Sequence, residues 1–303
     1  MNNSTASTLH YPAVSPYSNL GWSAAFGVEA VVIAVGNGIS ILALIYMKSP
    51  RKLRRWFLLS LSIADMFVGA LSLPMYVYLL TVQTRLKSMW FVYNTVDIFT
   101  GLASVFTLTV ISMERLYAVL MPFTHRYTRR IYYMIVIGGL WCLAALISGV
   151  FWLTMVYHLL PKELFIYPMT IVSFASVGII SVVYVTVWIK IKFFVSKRSN
   201  AKLLGPGEEK NIFFAIGIVT VVFVCTWLPF NIMNLMANFH HKVISDLPYD
   251  SIYFVKFLHY CNSFINPVVY TLKIPEFRRS IYRLFHVQSS HSCPRGLTRE
   301  TRV

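Results

Sequence analysis

A chain of 303 residues with 57% hydrophobic and 13% charged residues departs from soluble domains, which run near 45–50% apolar and about 25% charged. A mean hydropathy of +0.62, with the apolar residues in long blocks, excludes disorder, a collagen, a disulfide scaffold and a nucleic-acid-binding domain. The formal charge of +16 sits in loops beside those blocks without the interleaved aromatics of a base-stacking groove, so nucleic acid is not an expected partner.

Residues 1–20 are polar and show neither a basic stretch nor a small-residue cleavage site, so the apolar block after them reads as a retained anchor rather than a signal peptide. Seven stretches reach the roughly 20 apolar residues that cross hydrocarbon. They lie near 21–47, 56–82, 89–121, 131–157, 166–195, 212–240 and 251–272. Only helices or closed barrels satisfy the backbone in lipid, and runs this long are helices. The expected fold is therefore an all-α membrane protein: an N-terminal segment (1–20), a seven-transmembrane helix bundle (21–272), a short amphipathic membrane-surface helix (273–286) and a tail (287–303). Within Pro275–Phe285, the side chains of Phe277, Ile281, Leu284 and Phe285 form an apolar face flanked by arginines, which suits contact with membrane lipids.

Lys and Arg divide 22 to 5 between the two faces of this bundle. The positive-inside rule puts the odd-numbered loops and the tail in the cytoplasm and the N-terminus outside. Overlapping glycosylation sequons at Asn2 and Asn3 fall on the outer side. Cys142, Cys225 and Cys261 lie in apolar runs and Cys293 in the tail, so they read as small buried hydrophobes and no disulfide is expected. A palmitoyl group on Cys293, beside the surface helix, is an alternative to a free thiol.

Ionisable side chains are costly inside a membrane and mark function by default. Away from the span ends, the carboxylates and amines are Glu29, Asp65, Asp97 and Lys256. Glu29 reads as a structural hydrogen-bond partner between helices; the other three belong to a wider pattern. On span three, Asp97, Gly101, Ser104, Thr107, Ile111 and Arg115 fall on one stripe at steps of three and four. Its two charges stand about 27 Å apart at 1.5 Å per residue. Span seven repeats the arrangement with Lys256, Tyr260, Ser263, Pro267 and Tyr270, and with Asn262 and Asn266 one turn apart. Phe223, Trp227 and Pro229 place a proline kink under a large aromatic in span six.

These residues carry a resemblance. Gly36-Asn37, Leu61-Ser62-Ile63-Ala64-Asp65, Glu114-Arg115-Leu116, Trp141, Tyr184, Phe223 with Cys225-Thr226-Trp227-Leu228-Pro229, and Asn262 through Tyr270 (NSFINPVVY) occur in order in the expected spans. The chain resembles the rhodopsin-like (class A) G-protein-coupled receptors over nearly its whole length. The resemblance implies a plasma-membrane receptor that binds a small extracellular ligand and promotes nucleotide exchange on a heterotrimeric G protein; it implies no enzyme chemistry of the chain's own. Arg115 would be held at rest by Glu114 and by Glu209 at the foot of span six, then released with Tyr184 and Tyr270 as span six swings outward. Asp65, Ser104, Asn262 and Asn266 match the family's internal sodium site, a water-filled polar network being the alternative. Pro122 and Phe123 take the place of an apolar dock for the G protein.

For the ligand, Asp97 and Tyr260 match the positions where amine receptors hold an ammonium, with Trp227 and Phe230 adding cation–π faces and Asn231 one turn outward. Lys256, a turn above Tyr260, opposes a plain amine reading and leaves an anionic or zwitterionic ligand open. Trp90 replaces the usual span-three cysteine and Ser176 the usual span-five proline, as in the melanocortin, cannabinoid and lysophospholipid branch. The exit Lys273–Arg278 is reminiscent of adenosine receptors. Lipid, nucleoside and small-peptide ligands therefore stay open beside a biogenic amine. Tyr260 replaces the retinal-binding lysine, so no retinal is expected, though Lys256 lies a turn away. The ending Glu300-Thr301-Arg302-Val303 resembles a class I PDZ ligand. An ion or proton transporter using Asp65, Asp97 and Lys256 as a relay is the rival class, followed by a poorly signalling scaffold or heterodimer partner. The transporter leaves Glu114-Arg115, Trp227 and Asn266-Pro267 unexplained.

Overall fold

The computed structural model describes residues 16–47, 52–82, 87–159, 161, 163–197, 206–239, 246–273 and 275–290. Asn2, Asn3, Cys293 and Glu300-Thr301-Arg302-Val303 lie outside the described residues. Span one is α1 (Pro16–Tyr46) and span two is α2 (Lys52–Phe67), a π-turn (Val68–Ser72) and α3 (Leu73–Val82). Span three is α4 (Lys87–Leu120), and the short α5 (Pro122–Arg126) comes after it. Spans four, five and six are α6 (Arg130–Val156), α7 (Glu163–Lys197) and α8 (Pro206–Phe239). Span seven is α9 (Tyr249–Lys273), succeeded by α10 (Pro275–Ser290). The described residues are an all-α bundle. Outer and inner below denote the ends carrying Asp97 and Arg115.

Spans one to five are each long and apolar enough to cross a membrane, and span six contributes the apolar stretch Val221–Ala237. Span seven is the most polar of the seven because it carries the asparagines, tyrosines and lysine of the interior network. Large apolar side chains such as Val28, Val31, Val35, Leu42 and Ile45 on span one point outward and exposed. In water such a stripe would mark an interface; on every face of a bundle it is the lipid-facing surface. Cys142 and Cys225 also face outward and Cys261 is half-buried, so the expectation of three buried thiols is corrected. Periodicity showed that they lie in apolar helices, not which face they take.

Span three is the axis, touching spans two, four and five. Its buried run Leu102–Thr109 sits among Leu58, Leu61, Ile180, Phe223 and Trp227. Two polar ties hold this part of the bundle together, one between spans four and two and one between spans two and three. Trp141 Nε1 donates to Ser60 Oγ at 2.9 Å, and Ser72 and Thr100 hydroxyls meet at 2.9 Å. The π-turn adds a residue to one turn of span two, rotating the helix beyond it, and Tyr76, Leu79 and Leu80 are thereby buried. Gly69 in that turn admits the backbone of span one: a Cβ there would stand 2.7 Å from Ala34 N and 2.8 Å from Ala30 O. Spans one and seven are joined where Asn37 Nδ2 donates to Ser263 O at 3.0 Å.

The prolines act as their chemistry requires. Pro168, Pro229 and Pro267 lie inside helices, each removing one backbone donor. At Ser176, the hydroxyl donates to Val172 O at 2.9 Å, so that position holds an ordinary helix with a bonded side chain. The surface helix α10 runs four residues beyond the expected end at 286, and Phe277 is fully buried against Tyr270, ring centroids 5.8 Å apart.

Candidate functional site

The outer cluster is built from α4, α3 and α9. Asp97 Oδ2 lies 3.7 Å from Lys256 Nζ. Tyr260 donates its hydroxyl to Asp97 Oδ1 at 2.8 Å, and Tyr93, one turn before Asp97, donates to Oδ2 at 3.1 Å. The two phenol oxygens are 2.8 Å apart. The ammonium is boxed by the rings of Tyr76, Tyr93 and Tyr260 at 4.6, 4.9 and 5.7 Å. Tyr93 and Tyr260 are buried, whereas Lys256 and Asp97 keep 14% and 16% of their side-chain surface open. Asp97 and Lys256 are thus each other's counter-ions, and the tyrosines form a floor under a pair reachable by solvent. Tyr76 and Tyr93 were not singled out in the sequence. For Tyr93 the signal was its helical step to Asp97, one turn apart.

Deeper in the bundle, His259 occupies a place that sequence reasoning missed. Its ring stacks on Phe230 at 4.0 Å and meets Trp227 edge-on at 4.5 Å. Phe223 stacks under Trp227 at 5.7 Å. Trp227 Nε1, Asn231 Nδ2 and His259 Nδ1 are buried without a hydrogen-bond partner among the described residues. Glu29 is buried as well, and the group set against its carboxyl is the Cys261 thiol of span seven. Both carboxyl oxygens of Glu29 are buried without a hydrogen-bond partner among the described residues, so the interhelical hydrogen bond expected of it is not formed.

The middle cluster surrounds Asp65, which is fully buried. Ser104 donates to Oδ1 at 2.7 Å, Ser263 to Oδ1 at 2.9 Å and Asn266 Nδ2 to Oδ2 at 2.8 Å. Ser263 replaces Asn262 among the expected partners. Asn262 instead lines a neighbouring cavity with Asn266, Ser112, Tyr184 and Phe223, and about 10 Å³ of it is open to a water centre, room for about one water. One carboxylate with two hydroxyl oxygens is a donor set that fits a hard cation.

At the inner end Glu114 is shared. Its Oε2 lies 3.6 Å from Arg115 Nε and its Oε1 bonds His125 Nε2 at 2.8 Å. The Tyr133 hydroxyl is 3.4 Å from the same imidazole nitrogen. His125, on α5, was not expected here. Glu209 lies on α8, but its side chain and that of Pro122 fall outside the described residues. Phe123 is 84% exposed. Tyr184 and Tyr270 are buried on spans five and seven.

The chain matches the family "7 transmembrane receptor (rhodopsin family)" over residues 36–270. It belongs to that family. Among its relatives, the neuropeptide Y receptor type 2 of Cavia porcellus is 27% identical over 84% of this chain and 73% of its own length. The tachykinin-like peptides receptor 86C of Drosophila melanogaster is 32% identical over 42% of this chain and 26% of its own, and the histamine H4 receptor of Homo sapiens 31% over 40% and 32%. The chain therefore spans only about a quarter to a third of the latter two. These relatives are receptors and not enzymes. The receptor described here is a multi-pass membrane protein of class A, the G-protein-coupled receptors. Its outer, middle and inner clusters all lie along the single helix α4.

Proposed function

We propose that this receptor binds a small extracellular ligand at the Asp97–Lys256 cluster and promotes nucleotide exchange on a heterotrimeric G protein through Arg115. The observation carrying this reading is the arrangement on α4. A solvent-reachable ion pair at its outer end, a polar network at its middle and an arginine at its inner end are joined by one rigid element. The outer pair also ties span three to span seven, which carries Pro267 in its interior, and the stack of Trp227 on Phe223 lies between the pair and the inner half of the bundle. A ligand that changes the outer pair has differential contact with two bundle states, the requirement for shifting their populations.

At the inner end, among the described residues, Arg115 meets Glu114 through Nε alone, at 3.6 Å, rather than in a two-pronged grip. Such a contact biases the resting state and opens at low cost. The exposed Phe123 on α5, the helix that follows α4, offers an apolar side chain to the G protein. The expected outcome of Arg115→Ala is loss of G-protein activation, read by a second-messenger reporter, with surface delivery largely intact. Unchanged signalling would return the chain to the transporter reading.

Sodium is the proposed allosteric ion. Asp65, Ser104 and Ser263 would hold it, with Asn266 orienting the carboxylate and Asn262 facing the water-sized space beside it. A cation there neutralises a buried charge between spans two, three and seven and favours the arrangement in which those spans stay together. Asp65→Asn is expected to abolish the Na⁺ dependence of agonist-free signalling; a persisting dependence would leave Asp65 in a hydrated network only.

A biogenic amine is the second reading for the ligand. It is favoured by the Asp97–Tyr260 pair and by amine-named relatives such as the histamine H4 receptor, while peptide-named relatives favour a peptide.

A further inference from the structure

The outer cluster already contains an ammonium. Lys256 sits against a carboxylate inside three tyrosine rings, which is the environment a ligand cation would seek. The site is occupied by the chain's own cation, and the two halves of that pair are not equally replaceable.

If Lys256 leaves, Asp97 still accepts hydrogen bonds from Tyr260 and Tyr93, one on each oxygen. If Asp97 is taken by an incoming amine, Lys256 keeps, among the described residues, ring faces alone. Removing one partner of an ion pair that is largely shielded from solvent is costly when the other is left without a counter-ion. A free amine must also compete with an ammonium tethered beside the same carboxylate, at the high effective concentration of an intramolecular group. The carboxylate is therefore the fixed member and the lysine the exchangeable one.

Of the three unsatisfied groups nearby among the described residues, His259 Nδ1 can donate or accept according to its tautomer, and the other two can only donate. The indole Nε1 of Trp227 and the amide Nδ2 of Asn231, one turn outward on span six, are buried donors without acceptors among the described residues. An indole nitrogen can only donate. An incoming amine would bring more donors to a carboxylate that already meets two phenols and an ammonium. An incoming anion would bring acceptors to a site holding idle donors and a movable ammonium.

We propose that the ligand is an organic anion, a carboxylate or a phosphate monoester on an apolar body, whose charged group draws Lys256 away from Asp97. The aromatic walls of Trp227, Phe230 and His259 receive the body. This assignment rests on the proposed receptor function and names the ligand class for its site.

The test is thermal unfolding of the purified full chain in neutral detergent, with millimolar 4-phenylbutyrate, phenyl phosphate or 4-phenylbutylamine. One or both acids are expected to raise the wild-type Tm, with the amine giving no rise; the two acids separate carboxylate from phosphate preference. Lys256→Gln is expected to lose the rise, and Lys256→Arg, which keeps the charge and controls for folding, to retain most of it. Where a dose series is measured, Lys256→Gln should weaken the acid about tenfold or more, the loss of one charge-assisted hydrogen bond. A rise with the amine alone, a rise with acid that survives in Lys256→Gln, or no rise with either acid would each overturn the proposal. Failure here leaves the receptor reading standing, since agonist-free nucleotide exchange through Arg115 is measured without any ligand.

Discussion

The two ends of α4 each carry a carboxylate and a cation, and they are built differently. At the outer end the partners come from different helices, spans three and seven, and the carboxylate is also held by two phenols. At the inner end Glu114 and Arg115 are neighbours in sequence, among the described residues they meet in a single 3.6 Å approach, and the carboxylate's other oxygen is committed to His125. A pair that bridges helices fixes their separation, so opening it moves the bundle. A pair of sequence neighbours fixes nothing beyond its own side chains, so it responds to the bundle. One helix thus carries a lock at one end and a readout at the other.

The largest expected effect separates the members of the lock. Asp97→Ala strands Lys256 and should cost about 1–3 kcal/mol of stability, less than for a fully buried pair because solvent reaches this one. Lys256→Gln should cost distinctly less, because Asp97 keeps both tyrosine hydroxyls. Thermal unfolding of the two variants in detergent checks the order; equal losses would mean that the phenols do not anchor the carboxylate. A smaller, local effect is expected at the readout end. His125→Ala removes the tie between α5 and Glu114, a hydrogen bond to a charged group. Amide exchange across Pro122–Arg126 should speed about tenfold or more while the transmembrane core is unaltered. Protection that persists would place the anchor of α5 elsewhere.

Much of this architecture was legible in the sequence, for physical reasons that also mark where legibility stopped. The spans were readable because hydrocarbon thickness dictates helix length, and the stripe from Asp97 to Arg115 because helical steps are fixed. The pairing of Lys256 with Asp97 was readable only as an option, since spacing within one helix says nothing of its azimuth towards another. Tyr76 reached the cluster through the π-turn at Val68–Ser72, an insertion of one residue that no composition signals. Ser263 took the place expected for Asn262 on Asp65 because adjacent residues on a helix differ by about 100° in direction. His259 and His125 were missed for a simpler reason: a lone histidine in an apolar or basic run carries no pattern of its own. At the outer rim, Asp250 accepts from Ser18 and, at 2.8 Å, from Trp22, which together hold its carboxyl below the usual value. That clasp between spans one and seven joins residues more than two hundred positions apart in the chain and was equally invisible.

The most direct test of the lock-and-readout account is agonist-free GDP release from a purified heterotrimer reconstituted with the receptor in a lipid bilayer. The account predicts that Lys256→Gln, by opening the outer pair, raises release several-fold over wild type. Adding Arg115→Ala to that variant should return release to the rate of the heterotrimer alone. A rate unchanged by Lys256→Gln, or one that stays raised without Arg115, would contradict it.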